Sequence, residues 1–526
     1  MRLLYAVSAL ALVTAVPAAA QKDSPPDKSK SLEELHKQDM AEEAKAAWAK
    51  APVEERTVSS RHSVSAGGRT LKYTATAGTL TIHDNSGKPT ASIFYTADTL
   101  DGARDSKRPV VFFYNGGPGS ASLWLRMGSF APMRLQTGGP DYIRPAPFAF
   151  APNPDTLLGT ADLVFIDAPG TGYSRMLGDS KGSDFYGVDQ DADAFARAIM
   201  RYVTKFGRWD SPKFLFGESY GTTRSGALAY QLQERGVALN GVILLSSIMN
   251  YGRRQPGLDR DYINYLPSYA ATAWYHHKMA NAPGSVAEAA ELGRAFAQGP
   301  YATALEKGQN ISPEEEDSVA RQMSQLTGLS PEFIKRANLR VDLSRFRKEL
   351  LRDERETVGR FDSRYTGVDP DAAGDSPDFD ASDVAISGAF IGTLHDYLAN
   401  DLGYRTDLQY RLSASEEEGF KWDWDHKAPG VRYTLNAPNT ALDLAAAMRT
   451  NPYLKVLSLN GWYDMATPFF GTEYDLSHMM LEPAQQRNLE FRYYPSGHMV
   501  YLNPDALHAM RLDVESFIDE AVSEAR

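Results

Sequence analysis

Five stretches of the chain are short, almost unbroken apolar runs that end in Gly, Asp or Ser: RPVVFFYNGG, ADLVFIDAPG, KFLFGES, LNGVILLSS and YLKVLSLNG. Continuous apolar runs of this length predict strands buried on both faces, as in a parallel sheet covered by helices. Between them, VDQDADAFARAIMRYVTKF and SGALAYQLQERG read as helices. The sum is an α/β fold, whose functional residues are expected just past the carboxyl ends of the strands. Upstream, RTLKYTATAGTLTIHD, the turn NSGKPT and ASIFYTAD alternate and are rich in β-branched residues, which predicts an antiparallel ribbon leading into the core.

The core pattern pauses after about residue 265 and resumes near residue 430. Between these points SVAEAAELGRAFAQ, SPEEEDSVARQMSQL, SPEFIKRANL and SRFRKELLRDERETVGRF read as helices, with Ser or Ser-Pro start signals, and together predict an inserted helical cap. The stretch GVDPDAAGDSPDFDASD that follows has the spaced aspartates of a calcium loop, but Pro370 and the order Gly374-Asp375 break that pattern, so it reads as a solvated acidic loop. The expected organisation is a signal peptide at 1–20, a tether and N-terminal helix at 21–56, the first part of the α/β core at 57–265, the cap at 266–430 and the second part of the core at 431–526.

The termini and the composition narrow the setting. Arg2, an apolar run from Leu3 to Val16 and small residues at Ala18 and Ala20 form a secretory signal, cleaved after Ala20 in this reading. No later run approaches the length of a membrane span, so the mature chain is expected to be secreted or periplasmic, without membrane insertion. The net charge of −12 disfavours nucleic acid as a partner. The absence of cysteine removes disulfides, thiolate nucleophiles and cysteine metal sites, and suits a bacterial envelope compartment.

Gly217-Glu218-Ser219-Tyr220-Gly221 matches G-x-S-x-G between a predicted strand and a predicted helix, where flanking glycines let a strained turn lift the serine hydroxyl clear of the sheet. Ser219 is therefore a candidate nucleophile, the alternative being an ordinary strand-to-helix turn. It needs a base, and among the ten histidines His498 lies in YYPSGHMVY, after a late aromatic strand, where the chain order Ser, acid, His places one. His478 and His508 read as helix positions, and the pair His276-His277 lacks a spaced third ligand. Asp464 ends the preceding strand in SLNGWYDMATP and is placed to orient the imidazole; alternatively it opens a turn before Pro468. The glycine-rich turn NGGPG offers backbone N–H groups, chiefly that of Gly117, to join the amide of Tyr220 as an oxyanion hole. A phosphate loop is the weaker reading there, since the Walker lysine is missing and Pro118 removes a donor.

These residues resemble the serine carboxypeptidases of the α/β-hydrolase superfamily, as a bacterial-type member. The likeness is carried by NGGPGSAS at 115–122, GTGYS at 170–174, GESYG at 217–221, GHMV at 497–500 and GWYDMATPFFGT, which keeps Asp464, Pro468 and Thr472 in family positions. The resemblance implies an α/β-hydrolase fold with a mainly parallel sheet, an N-terminal antiparallel extension and an inserted helical cap. It also implies the triad Ser219, Asp464 and His498, oxyanion amides from Gly117 and Tyr220, and a substrate-carboxylate site at Asn115 and Glu218, with no metal or cofactor. A carboxylate facing Glu218 binds well only if one of the two holds a proton, which favours peptide binding at acidic pH.

The chain departs from the family pattern at Ser129, where a second glutamate is usual, at Phe113, where tryptophan is usual, and at GTTR after the serine. Arg175 and Arg224, beside the motifs, are candidates to replace the missing part of the carboxylate clamp. The function expected is an exported serine carboxypeptidase acting through an acyl-enzyme on peptides with a free C-terminus. The alternatives are an esterase, amidase or acyltransferase with the same triad, or a catalytically silent binding protein on the same fold.

Overall fold

All five apolar runs are strands of one sheet. The structure is a computed structural model that describes residues 51–102, 107–417 and 419–524; the predicted signal peptide, the tether up to residue 50 and the helix opened by Ser31 lie outside them. We number the long strands β1 (Thr57–Ala66), β2 (Arg69–His83), β3 (Pro89–Leu100), β4 (Val110–Tyr114), β5 (Asp162–Ile166), β6 (Lys213–Glu218), β7 (Gly241–Leu245), β8 (Lys455–Gly461) and β9 (Leu489–Tyr494). Their order across the sheet is β1-β2-β3-β5-β4-β6-β7-β8-β9. From β5 to β9 every neighbouring pair is parallel, whereas β1, β2 and β3 form the antiparallel entry and β3 pairs antiparallel with β5. This is the α/β-hydrolase arrangement.

The residue pattern accounts for the layers. Strands β4, β5, β6, β7 and β8 are buried along their whole length, because alternate side chains enter two different cores. Phe113, Phe216 and Leu245 pack on one face with the C-terminal helix Pro504–Glu524, while Phe112, Leu215 and Leu244 pack on the other with helices α1 (Val188–Lys205) and α2 (Tyr220–Glu234). Neither face has solvent to alternate against, which is why the runs are continuous.

The region between β7 and β8 is only partly a helical cap, and the boundary expected at 265/266 falls inside α3 (Arg260–Tyr275). The helices Val286–Phe296, Pro313–Thr327 and Pro331–Arg336 begin at Ser285, Ser312 and Ser330, each side chain accepting a backbone N–H of the first turn. The fourth predicted helix is shorter than expected. It covers Leu343–Glu349, is capped by Asp342, and gives way to a two-stranded ribbon of Glu356–Val358 with Thr366–Val368. Four β-branched residues, Thr357, Val358, Thr366 and Val368, favour that extended pairing. The aspartate-rich stretch is not wholly solvated: Asp369 is buried against Lys348 at 2.5 Å, and Asp380 caps the helix Ala381–Val384.

Downstream of the helices the chain is an extended strap over the strand ends, bridging Arg411 to Gly172, Ser413 to Ser120 and Asp423 to Gly187. Among the described residues no helix is long and apolar enough to cross a membrane, and no group of three or more His, Asp or Glu is arranged to hold a metal ion.

Candidate active site

Ser219 stands between the last residue of β6 and the first of α2, with φ 62° and ψ −128°. A non-glycine residue in that region costs on the order of 1–3 kcal/mol and persists only when its surroundings over-determine it. Here the Ser219 N–H donates to the carbonyl of Leu245 at 3.0 Å, and its own carbonyl accepts from Thr222 N–H at 2.9 Å. The turn leaves Ser219 half-buried at the sheet's carboxyl edge, with Glu218 and Tyr220 buried on either side.

Ser246, the residue after β7, joins the other loops to this turn. Its Oγ donates to the carbonyl of His498 at 2.6 Å and its carbonyl accepts from Thr467 Oγ1 at 2.8 Å. The His498 N–H is taken by the carbonyl of Phe361 at 2.6 Å, whose ring tilts against the imidazole with centroids 5.3 Å apart. Nδ1 of His498 donates to Oδ2 of Asp464 at 2.9 Å, and Asp464 Oδ1 accepts the N–H groups of Ala466 and Thr467 at 2.8 and 2.9 Å. Burial works against an imidazolium at His498, but the Asp464 carboxylate outweighs it and raises the pKa above the usual histidine value. Among the described residues no hydrogen bond joins Ser219 Oγ to His498; such contacts are often loose until substrate arrives.

Thr467 was not singled out from the sequence although it adjoins Pro468. Its hydroxyl lies 2.8 Å from Asp464 Oδ2 and 3.1 Å from His498 Nδ1, so it holds the acid as well as the loop. Thr467→Val removes a hydroxyl whose single proton is shared between the Ser246 carbonyl and the buried Asp464 carboxylate, a charge-assisted interaction worth about 1.5–3 kcal/mol. The expected result is a loss of about tenfold or more in kcat with little change in KM, read by steady-state kinetics.

The glycine-rich turn after β4 lies directly on the serine turn. A Cβ placed on Gly116 would come within 2.4 Å of the Tyr220 nitrogen and 2.7 Å of the Gly221 nitrogen, so only glycine allows this approach. Gly117, at φ 107°, is one residue further along that loop, and Tyr220 opens α2, where the first N–H groups have no intrahelical acceptor and form the positive end of the helix dipole. Asn115 is buried, its Oδ1 accepting the N–H of Leu125 at 3.1 Å. Glu218 is buried beside it and accepts the Tyr501 hydroxyl at 2.9 Å. Burial pushes the Glu218 carboxyl up to about 7, against the lowering pull of His498 and the hydrogen bonds from Tyr501 and Asn115. Tyr501, next to GHMV, also went unmarked in the sequence.

Both arginines expected to complete a carboxylate clamp are buried and donate to main-chain carbonyls. Arg224 is fully buried and spends its guanidinium on Asp191, at 2.6 and 3.1 Å, and on the carbonyl of Asn115 at 2.7 Å, with Cζ 4.1 Å from the centroid of the Phe195 ring. Arg175 donates to the carbonyls of Gly172 and Ser174, both at 2.9 Å, and to that of Gln409. Both ions hold the main chain in place. Ser129 does not stand in for a glutamate, since its hydroxyl is buried and donates to the Leu125 carbonyl at 2.6 Å. The histidines set aside have other partners: His276 Nε2 lies 2.7 Å from the Ser363 carbonyl, His508, on the C-terminal helix, pairs with Asp155, and His478 closes the helix Phe469–Ser477.

A serine at a strained strand-to-helix turn, with a late histidine and an acid gathered at the same sheet edge, defines the hydrolase class of the α/β-hydrolase fold. Residues 68–282 match the family described as serine carboxypeptidase. That match supports a serine hydrolase of the carboxypeptidase type; Asp464 and His498 lie outside the matched stretch. Among solved structures the chain is similar to a proline iminopeptidase of Mycobacterium smegmatis, at 14% identity over 85% of this chain and 100% of that one with a TM-score of 0.36. It is also similar to a putative aryl esterase of Burkholderia cenocepacia, at 10% identity over 85% and 99% with a TM-score of 0.34. Scores this low carry no weight beside the strand order itself.

Proposed function

We propose that the protein is an exported serine carboxypeptidase that removes C-terminal residues from peptides through an acyl-enzyme. Ser219 Oγ attacks the scissile carbonyl as Nε2 of His498 takes its proton, while Asp464 keeps Nδ1 protonated and stabilises the imidazolium. The N–H groups of Gly117 and Tyr220 hold the oxyanion of the tetrahedral intermediate, each contributing about 3–4 kcal/mol in sites of this kind. Collapse breaks the C–N bond, and His498 returns the proton to the departing amine. Water, deprotonated by the same histidine, then hydrolyses the ester.

The observation that carries this reading over a simple esterase is Glu218, a buried carboxyl held near 7 immediately before the nucleophile and touched by Tyr501. Below about pH 7 it is protonated and can donate to a substrate's terminal carboxylate alongside Asn115. Above that it is ionised and repels the same group. The expected result is that peptides with a free C-terminus are shortened stepwise and their amidated twins are not, with KM for the free acid rising as pH passes upward through 7. Glu218→Gln, neutral at every pH, should flatten that rise. Cleavage of esters without any trimming of peptides would support an esterase instead.

A further inference from the structure

We propose that a cavity with Arg360 in its wall, joined through main chain to the His498 loop, binds a carboxylate of the substrate. This rests on the carboxypeptidase reading. The cavity has a volume of about 630 Å³; its wall sets Arg254, Arg340 and Arg360 against Asp259, Asp261 and Asp342, with Tyr262, Tyr265 and apolar surface between them.

The cavity is tied to the catalytic loops through main chain. The Arg360 carbonyl accepts the N–H of Met465, next to Asp464, at 3.1 Å, and the following residue, Phe361, supplies the carbonyl bound by the His498 N–H. The Arg360 charge is close enough to oppose protonation of His498. On the other wall Arg254 reaches the carbonyl of Ala466, in the Asp464 turn, at 3.4 Å.

Charge accounting leaves Arg360 over. Arg340 is spent on Asp259 through two hydrogen bonds of 2.6 and 2.7 Å. Asp261 is held by Arg253 at 3.0 Å, with Arg254 Nε only at 3.6 Å, and Arg254 Nε is buried without a hydrogen-bond partner. Asp342 turns to the N–H of Arg345. Among the described residues the Arg360 guanidinium meets only the ring of its neighbour Phe361, at 5.2 Å. A half-buried guanidinium with unused donors, beside a second arginine with an unsatisfied N–H, suits a carboxylate, which it can grip through two parallel bonds. The tyrosines and apolar walls leave room for a side chain to carry that group. Two sources share this chemistry: an acidic side chain flanking the scissile bond, and the substrate's terminal carboxylate.

The test compares kcat/KM of wild type and Arg360→Gln for peptides carrying Glu or Gln on either side of the scissile bond, and for free-acid and amidated C-termini. Wild type is expected to prefer the carboxylate by about tenfold or more. Arg360→Gln should bring that ratio close to one, and Arg360→Lys should retain part of it. Loss of the Glu-to-Gln ratio assigns the cavity to a side chain, and loss of the acid-to-amide ratio assigns it to the terminus. Both ratios unchanged in Arg360→Gln overturn the proposal. The guanidinium holds no other element, so the variant should keep the wild-type melting temperature; if it does not, Arg360→Lys carries the comparison. Should wild type cleave esters but no peptide, the carboxypeptidase reading fails by itself. The cavity is then tested by inhibition of ester hydrolysis with N-acetylglutamate against N-acetylglutamine: a glutamate preference lost in Arg360→Gln supports it, and equal inhibition overturns it.

Discussion

Ser219→Ala is expected to lower kcat by about a millionfold, as removal of the nucleophile does where the triad acts as a unit. KM should stay close to that of wild type, and covalent labelling by a fluorophosphonate should disappear. The substitution removes one oxygen and leaves the strained turn otherwise as it is, because the N–H to Leu245 and the start of α2 are main-chain features. The oxyanion donors and the substrate pocket survive, so a residual rate of about a thousandfold or more over water should remain. Ser219→Gly makes the same chemical deletion but also relaxes a backbone held at φ 62°. It should therefore melt higher than Ser219→Ala while being equally inactive. If Ser219→Ala keeps wild-type turnover of the same peptide, Ser219 is not the nucleophile, and the proposed mechanism falls with it.

How much of this was legible in the sequence follows from what each feature depends on. The central strands could be read because a sheet covered on both sides leaves no polar alternation, and the cap helices because serine and Ser-Pro starts are local chemistry. The segment after Leu343 misled, since its charged helix formers continue past Glu349 while the pairing partner that makes Glu356–Val358 a strand lies further along the chain. Arginines 175 and 224 misled for a related reason. Nearness to a motif in sequence does not tell whether a guanidinium points at substrate or into the core, and the partner that consumes Arg224, Asp191, sits on a different helix. Arg360 had no motif to flag it at all. Its segment reaches the His498 and Asp464 loops only through main-chain hydrogen bonds from Met465 to Arg360 and from His498 to Phe361, partners distant in sequence.

Asp464→Asn is expected to lower kcat by about ten-thousandfold while leaving the fold and the substrate pocket intact. Oδ1 of Asp464 accepts two main-chain N–H groups, from Ala466 and Thr467. An asparagine must keep its carbonyl oxygen there, because its NH₂ would meet two donors. That turns the NH₂ toward His498, where the carboxylate now accepts from Nδ1 at 2.9 Å. Nδ1 must then become the acceptor and Nε2 must carry the proton, which is the tautomer that cannot take a proton from Ser219. The carboxylate that outweighs burial at His498 is also gone, so the imidazolium loses its stabilisation and the pKa falls. Two readouts separate this from simple unfolding: an unchanged melting temperature, and an acid limb of the kcat profile that moves to lower pH. If activity stays within tenfold of wild type with the acid limb in place, Asp464 only opens its turn, and another acid orients the histidine.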